Sequence, residues 1–145
     1  MPVQGEYEPS PWKVVADQVA LYESTAGAEG GTLQDKPVVI LTTRGRHSGK
    51  VRKTPLMRVA HNGIYAVVAS MGGAPKHPVW YHNLTASPEV TLQDGADIFE
   101  MTAREAHGDE KARWWARALE AWPAYADYQA RTDRQIPVFV LERRR

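Results

Sequence analysis

The stretch VVILTTRGRHSGKVRKTPLMRVAHNGIYAVVAS, residues 38–70, decides the fold. It opens with VVILTT (38–43), a short apolar, β-branched run that reads as a strand. RGRHSGK is the turn that follows, and VRKTPLMRVA (51–60) is the second strand. Pro55 lacks an N–H, which puts this strand at a sheet edge or at a bulge. Asn62-Gly63 is a two-residue hairpin signal, because both positions need positive φ. IYAVVAS (64–70) then runs apolar on both faces. Further out, VTLQ (90–93) and IFEMTARE (98–105) flank a turn containing Asp94-Gly95, and IPVFVLE (136–142) is a last strand. Six strands, several joined by hairpins, imply a small antiparallel sheet closed toward a barrel, a mainly β fold with helices (α+β).

Helices are set between the strands. In PWKVVADQVALYE (11–23), Trp12, Val15, Val19 and Tyr22 fall on one helical face, with Ser10 as cap and Pro11 at the first helical position. The polar face of this helix lacks the Lys/Arg excess of a membrane-surface helix, so it is read as packing on the core. STAGAEGGTLQDKP (24–37) is a Gly-rich loop, long enough to cover a site. HPVWYHNLTAS (77–87) is a helix with Pro78 in its first turn, and Asp109 to Trp122 is the clearest helix, with Trp115, Leu119 and Trp122 on one face. AYADYQAR adds a helical turn or two after Pro123. The 145 residues suit one domain: a helix and Gly-rich loop over 1–29 and a barrel over 30–145. No run of 18 apolar residues and no signal-peptide pattern is present, so the expected location is cytoplasmic, with peripheral membrane contact left open. Without cysteine there is no disulfide, thiolate metal site or cysteine nucleophile.

The net charge of +1 conceals a segregated pattern. Residues 36–88 contain no Asp or Glu but hold eight Lys or Arg and four of the five histidines; the rest of the chain holds ten basic and seventeen acidic residues. Such a field suits an anionic partner, unless acids from the flanks fold back to neutralise it. The turn GRHSGKV is not a P-loop, since Val51 stands where Ser or Thr would bind magnesium. Its glycines still let backbone N–H groups approach an anion, and Arg46 carries a planar fork for phosphate oxygens. The alternative is a solvated hairpin whose charges prevent edge aggregation. Nucleic acid is disfavoured, because residues 36–64 contain no aromatic ring for base stacking.

Catalytic side chains are sparse. Paired carboxylates are missing from the basic window, His77 and His82 are off register for a shared metal on a helix, and no metal site is expected. Ser70 lacks a nucleophile elbow. Aromatic residues gather instead at Pro78-Val79-Trp80-Tyr81 and at Trp122, Tyr125 and Tyr128. A flat conjugated ligand between a strand and aromatic walls accounts for both groups.

TTRGRHSGKVRKTPL, VVASMGGAPKHPVWYHNL and WPAYADYQARTDRQIPVFVLER together resemble the deazaflavin-dependent nitroreductase family of actinobacteria, from about Gly30 to the C-terminus. The resemblance implies a split β-barrel of the flavin-reductase, FMN-binding kind. It also implies the deazaflavin coenzyme F420, with its phosphate and oligoglutamate tail, as an anionic partner. Arg46, His47, Ser48, Arg52 and Lys53 would hold the phosphate and tail. Thr54, Pro55, Leu56 and Met57, with Val68, Ala69, Ser70 and Met71, would lie along the ring system. Val79, Trp80, Tyr81, His82 and Asn83 would close another side. Ser70, Trp122, Tyr125 and Tyr128 would shape the substrate pocket, Tyr125 also meeting the coenzyme. Three departures stand out: His47 where Lys is common, Met71 where Lys is frequent, and Trp122 and Met57 where nitroimidazole-reducing members carry Tyr. The reaction implied is hydride transfer from reduced coenzyme to an electron-poor acceptor: a quinone, a conjugated lactone or enone, or a nitro-aromatic. Ser70 and Tyr125 would donate hydrogen bonds to the developing anion, with Tyr128 and Trp122 as walls. The rivals are an FMN-binding barrel oxidoreductase and a non-enzymatic anion-binding barrel. The state of assembly is monomer or homodimer.

Overall fold

In the computed structural model, which describes residue 3 and residues 5–144, the strand expected over 51–60 breaks at Arg58. In chain order the elements are α1 (Lys13–Ser24), β1 (Thr32–Leu33), β2 (Lys36–Arg44), β3 (Val51–Met57), β4 (Val59–His61) and β5 (Ile64–Val68). A 3-10 turn (Met71–Gly73) follows, then α2 (Val79–Ala86), β6 (Glu89–Asp94), β7 (Asp97–Glu105), α3 (Gly108–Ala121), α4 (Tyr125–Ala130) and β8 (Val138–Arg143). All strands pair antiparallel in one sheet, in the order β1-β2-β6-β7-β8-β5-β4, with β3 also on β2. β3 therefore belongs to one end of the sheet and β4 to the other, although only Arg58 separates them. That single bend carries the chain across the opening of the curled sheet and makes it a split barrel.

The turn signals act where they are written. Asn62 and Gly63 have φ of 52° and 78° and join His61 to Ile64. Gly95, at φ 64°, helps join Asp94 to Asp97. A third such turn, Gln34-Asp35 (φ 49° and 64°), links β1 to β2 inside the segment expected to be a loop.

Both faces of the sheet are covered, which explains why β2, β5 and β8 are apolar without alternation. Val38, Ile40, Ala66, Val68, Val138 and Val140 pack with α1, α3 and α4. Val39, Leu41, Val67, Ala69, Phe139 and Leu141 pack with Trp80 and Leu84 of α2 and with β6 and β7. Each fully buried Val, Ile, Leu or Phe side chain among them contributes about 1.5–3 kcal/mol.

Two helical faces differ from expectation. α1 begins at Lys13; Trp12 precedes it in extended backbone and is 69% exposed, so the buried residues of this helix are Val19 and Tyr22. Ser10 does not cap the helix; its Oγ accepts a hydrogen bond from the Trp12 amide. On α3 the buried positions are Trp114 and Ala118, while Trp115 and Leu119 are half-buried at the flank of the same cluster. Trp122 lies one residue past the helix end and still packs, half-buried, against the same cluster as Trp115 and Leu119. Among the described residues no helix is long and apolar enough to cross a membrane.

Candidate active site

The opening of the barrel lies between β3 and β5, two strands that do not pair with each other. Backbone alternation fixes which groups face it. Lys50 O accepts from Gly45 N and Arg58 N donates to Pro37 O, so the even-numbered residues of β3 bond to β2. Val51 uses its opposite side, pairing with Glu6 and Glu8 of the N-terminal arm. The missing N–H of Pro55 thus points off the sheet, where no ladder bond is lost. On β5, Ala69 N bonds to Pro137 O, so Val68 turns its backbone groups toward the opening, while Ser70, just past the strand, gives its carbonyl to Gly73 N and Arg134 Nη2.

A cavity of about 670 Å³ fills this opening, within the usual range for small-molecule sites. Thr54, Pro55, Leu56 and Met57 form one wall; Val68, Ser70, Met71 and Gly72 form another. Pro78, Val79, Trp80 and Asn83 close the α2 side, and Trp122, Tyr125 and Tyr128 close the far side. Trp12, Val14, Val15 and Gln18, with Leu33 and Gln34 of the β1–β2 hairpin, line the remainder. This N-terminal contribution was not read from the sequence; its only signal was the length of the Gly-rich loop, and that segment does reach the cavity through Leu33 and Gln34.

Two buried residues of the lining carry hydroxyl groups that make no hydrogen bond to any described residue. Ser70 is buried, and so is Tyr125, whose phenol is pushed well above its ordinary pKa of 10.0 chiefly by burial and secondarily by Tyr128. Tyr125 is held by edge contact with the Tyr128 ring (6.0 Å between centroids) and by the Trp115 ring (6.2 Å). Trp122 Nε1 donates to the Tyr128 hydroxyl oxygen at 3.3 Å, which leaves the Tyr128 proton for another acceptor.

The cationic end shows both expected uses of charge. Arg52 and Lys53 line the cavity, yet Arg52 pairs with Glu8 at 2.7 Å and Lys53 with Glu23 at 2.5 Å, under the Tyr7 ring. Arg58 pairs with Asp94. Acids from the flanks do fold back, onto Arg52, Lys53 and Arg58 of the window. Arg46, His47 and Ser48 are exposed and stand outside the cavity. Their turn is anchored beside it, because Arg46 N donates to Oδ1 of buried Asn83 at 3.1 Å. Ser48 works within the turn: its Oγ accepts from Lys50 N and fills the space over Gly45.

Three residues of the expected ring contact do not reach the cavity. Ala69 faces the other side of β5, as strand alternation requires between Val68 and Ser70. Tyr81 and His82 point away on α2, where Val79, Trp80 and Asn83 take the cavity side; Tyr81 stacks on His77 at 4.1 Å and meets Phe139. No group of three metal-ligating side chains occurs among the described residues.

This chain is 39% identical over 129 residues to the F420H(2)-dependent quinone reductase Rv1261c of Mycobacterium tuberculosis, covering 86% of this chain and 87% of that one. It is similar to a solved F420-H2 dependent reductase, FDR-A, at 54% identity and TM-score 0.71, over 77% of this chain and 98% of that one. A second solved chain, described as a domain-swapped dimer, is 49% identical with TM-score 0.73, over 92% of this chain and all of its own. The family profile described as F420H(2)-dependent quinone reductase matches residues 14–143, from the first turn of α1 to the last strand, and the chain belongs to that family.

Proposed function

We propose that the protein reduces a quinone, or an electron-poor acceptor of similar shape such as a conjugated lactone, enone or nitro-aromatic, at the cavity between β3 and β5. The observation that carries this reading is the pairing of a largely apolar cavity with two buried, unpartnered hydroxyls, Ser70 and Tyr125, at its walls. The family uses coenzyme F420, which supplies a hydride when bound in its reduced form. The residues present fit that group. The unpaired edges of β3 and β5 offer backbone N–H and C=O groups to a heterocycle rim. Arg52 and Lys53 line the same cavity, and the Arg46–Lys50 turn, anchored through Asn83, offers further charge to a phosphate and carboxylate tail.

The side chains then act by placement and polarity. Thr54–Met57 and Trp80 hold the heterocycle. Trp122, Tyr125 and Tyr128 confine an acceptor over it, which turns an encounter into an aligned reaction. Ser70 and Tyr125 donate hydrogen bonds to the acceptor oxygen on which negative charge grows. Burial keeps the Tyr125 phenol protonated at neutral pH, so it serves as donor and not as base. Met57 and Trp122 carry no hydroxyl, which leaves a less polar chamber suited to quinones.

The test is a titration with oxidised coenzyme F420, followed by fluorescence of Trp80 and Trp122, with flavin mononucleotide as control. Saturable quenching by the deazaflavin alone is expected, followed by menadione-dependent oxidation of the reduced coenzyme. Tyr125→Phe should lower kcat about tenfold or more while coenzyme affinity stays within about twofold. Preference for flavin mononucleotide, or no response to either, overturns the reading.

A further inference from the structure

The segment that carries Ser70 into the cavity is held in a conformation that one of its residues, Met71, disfavours. Met71, Gly72 and Gly73 have φ of 46°, 64° and 83°, three consecutive residues in the left-handed region. A side chain such as that of Met71 adopts this region at a cost of about 1–2 kcal/mol. Gly72 and Gly73 take this region freely, and Gly73 N to Ser70 O and Ala74 N to Met71 O close the turn locally; contacts from outside the segment add to these in holding Met71 there.

That role falls to one guanidinium. Arg134, between α4 and β8, donates from Nε to Ala74 O (2.9 Å), from Nη1 to Ala69 O (3.0 Å) and from Nη2 to Ser70 O (2.7 Å). Nη1 also lies 3.0 Å from His77 Nδ1. The fork spans both ends of the turn, from Ala69 to His77. Arg134 forms no ion pair with any described acid, so its charge is spent on neutral acceptors, and burial lowers its pKa accordingly. A lysine is a point donor and cannot reach these acceptors together.

Arg134 is itself fixed from α4. Gln129 Nε2 donates to Arg134 O at 2.8 Å, and Gln129 Oε1 accepts from Ile136 N at 3.0 Å. Gln129 follows Tyr128 on the helix that also holds Tyr125. Gly73 meets the same helix directly, its Cα so near Tyr128 that a Cβ would lie 2.6 Å from Tyr128 O. The network therefore joins the Ser70 wall to the tyrosine wall across the cavity. The β5–β8 ladder already holds Ala69 through Pro137 O, so the sheet does not depend on Arg134.

We propose that Arg134 is a positioning residue of the reductase: through the Ala69–His77 segment it sets the Ser70 hydroxyl relative to Tyr125, without touching coenzyme or acceptor. The inference rests on the hydride-transfer reading above. Its test compares wild type, Arg134→Lys, Ser70→Ala and the double variant by thermal melting, F420 titration and steady-state menadione reduction. Arg134→Lys should fold and bind F420 within about twofold of wild type yet lose kcat by roughly ten- to a hundredfold, as displacement of a reacting group by about 1 Å does. In the double variant the losses should not multiply, because both substitutions remove the same donor. A kcat for Arg134→Lys equal to wild type, or losses that multiply independently, overturns the proposal. Should Arg134→Lys fail to fold, Gln129→Met, which frees the Arg134 backbone, must show the same kcat loss and the same non-additivity with Ser70→Ala, and its absence is equally decisive. Wild type that fails to bind F420 would instead remove the functional reading itself.

Discussion

Gly73 shows how much a single residue decides in this molecule. Its φ is 83°, and a Cβ would meet Tyr128 O at 2.6 Å, Tyr128 Cα at 3.0 Å and Arg131 Cβ at 3.1 Å. Two of these are backbone atoms of α4 and cannot swing aside. Its neighbour Gly72 has φ 64°, but a methyl added there would have nothing within 4 Å. Gly73→Ala should therefore cost about 2–3 kcal/mol, combining backbone strain with overpacking. Gly72→Ala should cost about 1 kcal/mol, the backbone term alone. Urea denaturation of the two variants checks this; equal losses would mean that the contact with α4 relaxes freely. Neither value was legible in the sequence, where the two glycines look alike. Trp114 and Trp115 were confusable for a similar reason: adjacent positions on a helix differ by about 100°, and which of them faces the core depends on how α3 is rotated on the sheet.

At the scale of the element, the segment from the end of β5 to α2 has a built-in dependence on pH. His77 Nδ1 faces the Arg134 guanidinium, and its pKa is lowered from 6.5 first by burial, then by Arg134 and by His82; Glu105 opposes weakly and the Tyr81 ring stacks on it. The folded protein thus prefers neutral His77, whereas the unfolded chain protonates it near its ordinary value. The sign follows: the stabilising contribution is complete above about pH 6.5 and is lost as pH falls through the lower folded value. Urea midpoints at pH 7.5, 6.0 and 5.0 should fall more steeply for wild type than for His77→Gln. Parallel curves would show that another group carries the acid sensitivity. The strands and their tight turns were readable because Asn62-Gly63 and the Asp94-Gly95 pair act locally. The two-residue turn at Gln34-Asp35 was not, since neither residue takes positive φ as freely as glycine does.

At the scale of the whole molecule, charge segregation is answered by folding. The acid-free window would carry a strong positive field, but Glu8 and Glu23 return from the N-terminal part onto Arg52 and Lys53 at the cavity. An anionic coenzyme tail held by Arg52 and Lys53, as proposed above, would have to share or displace these carboxylates. Glu8→Gln with Glu23→Gln should therefore tighten F420 binding by about two- to fivefold, the value of partly exposed ion pairs, and steepen its dependence on salt. Weaker binding by the double variant would mean that the acids orient the cations and do not compete with the ligand.

The sequence by itself determined the hairpins at Asn62-Gly63 and Asp94-Gly95, the six main strand segments and the family, because tight turns, short apolar runs and motif spacing are local properties of the chain. It also carried the two cavity walls on β3 and β5 through the resemblance of their motifs. Only the tertiary structure decided that the chain bends at Arg58 to pass from one end of the sheet to the other, leaving the split in which the cavity lies. It alone placed Trp12 and the β1–β2 hairpin on the cavity rim, turned Tyr81 and His82 away, and brought Arg134 to Ser70. These outcomes depend on which strand edges pair and which face of a helix meets the sheet. Those are settled by packing between residues far apart in the chain, about which a local pattern of residues says nothing.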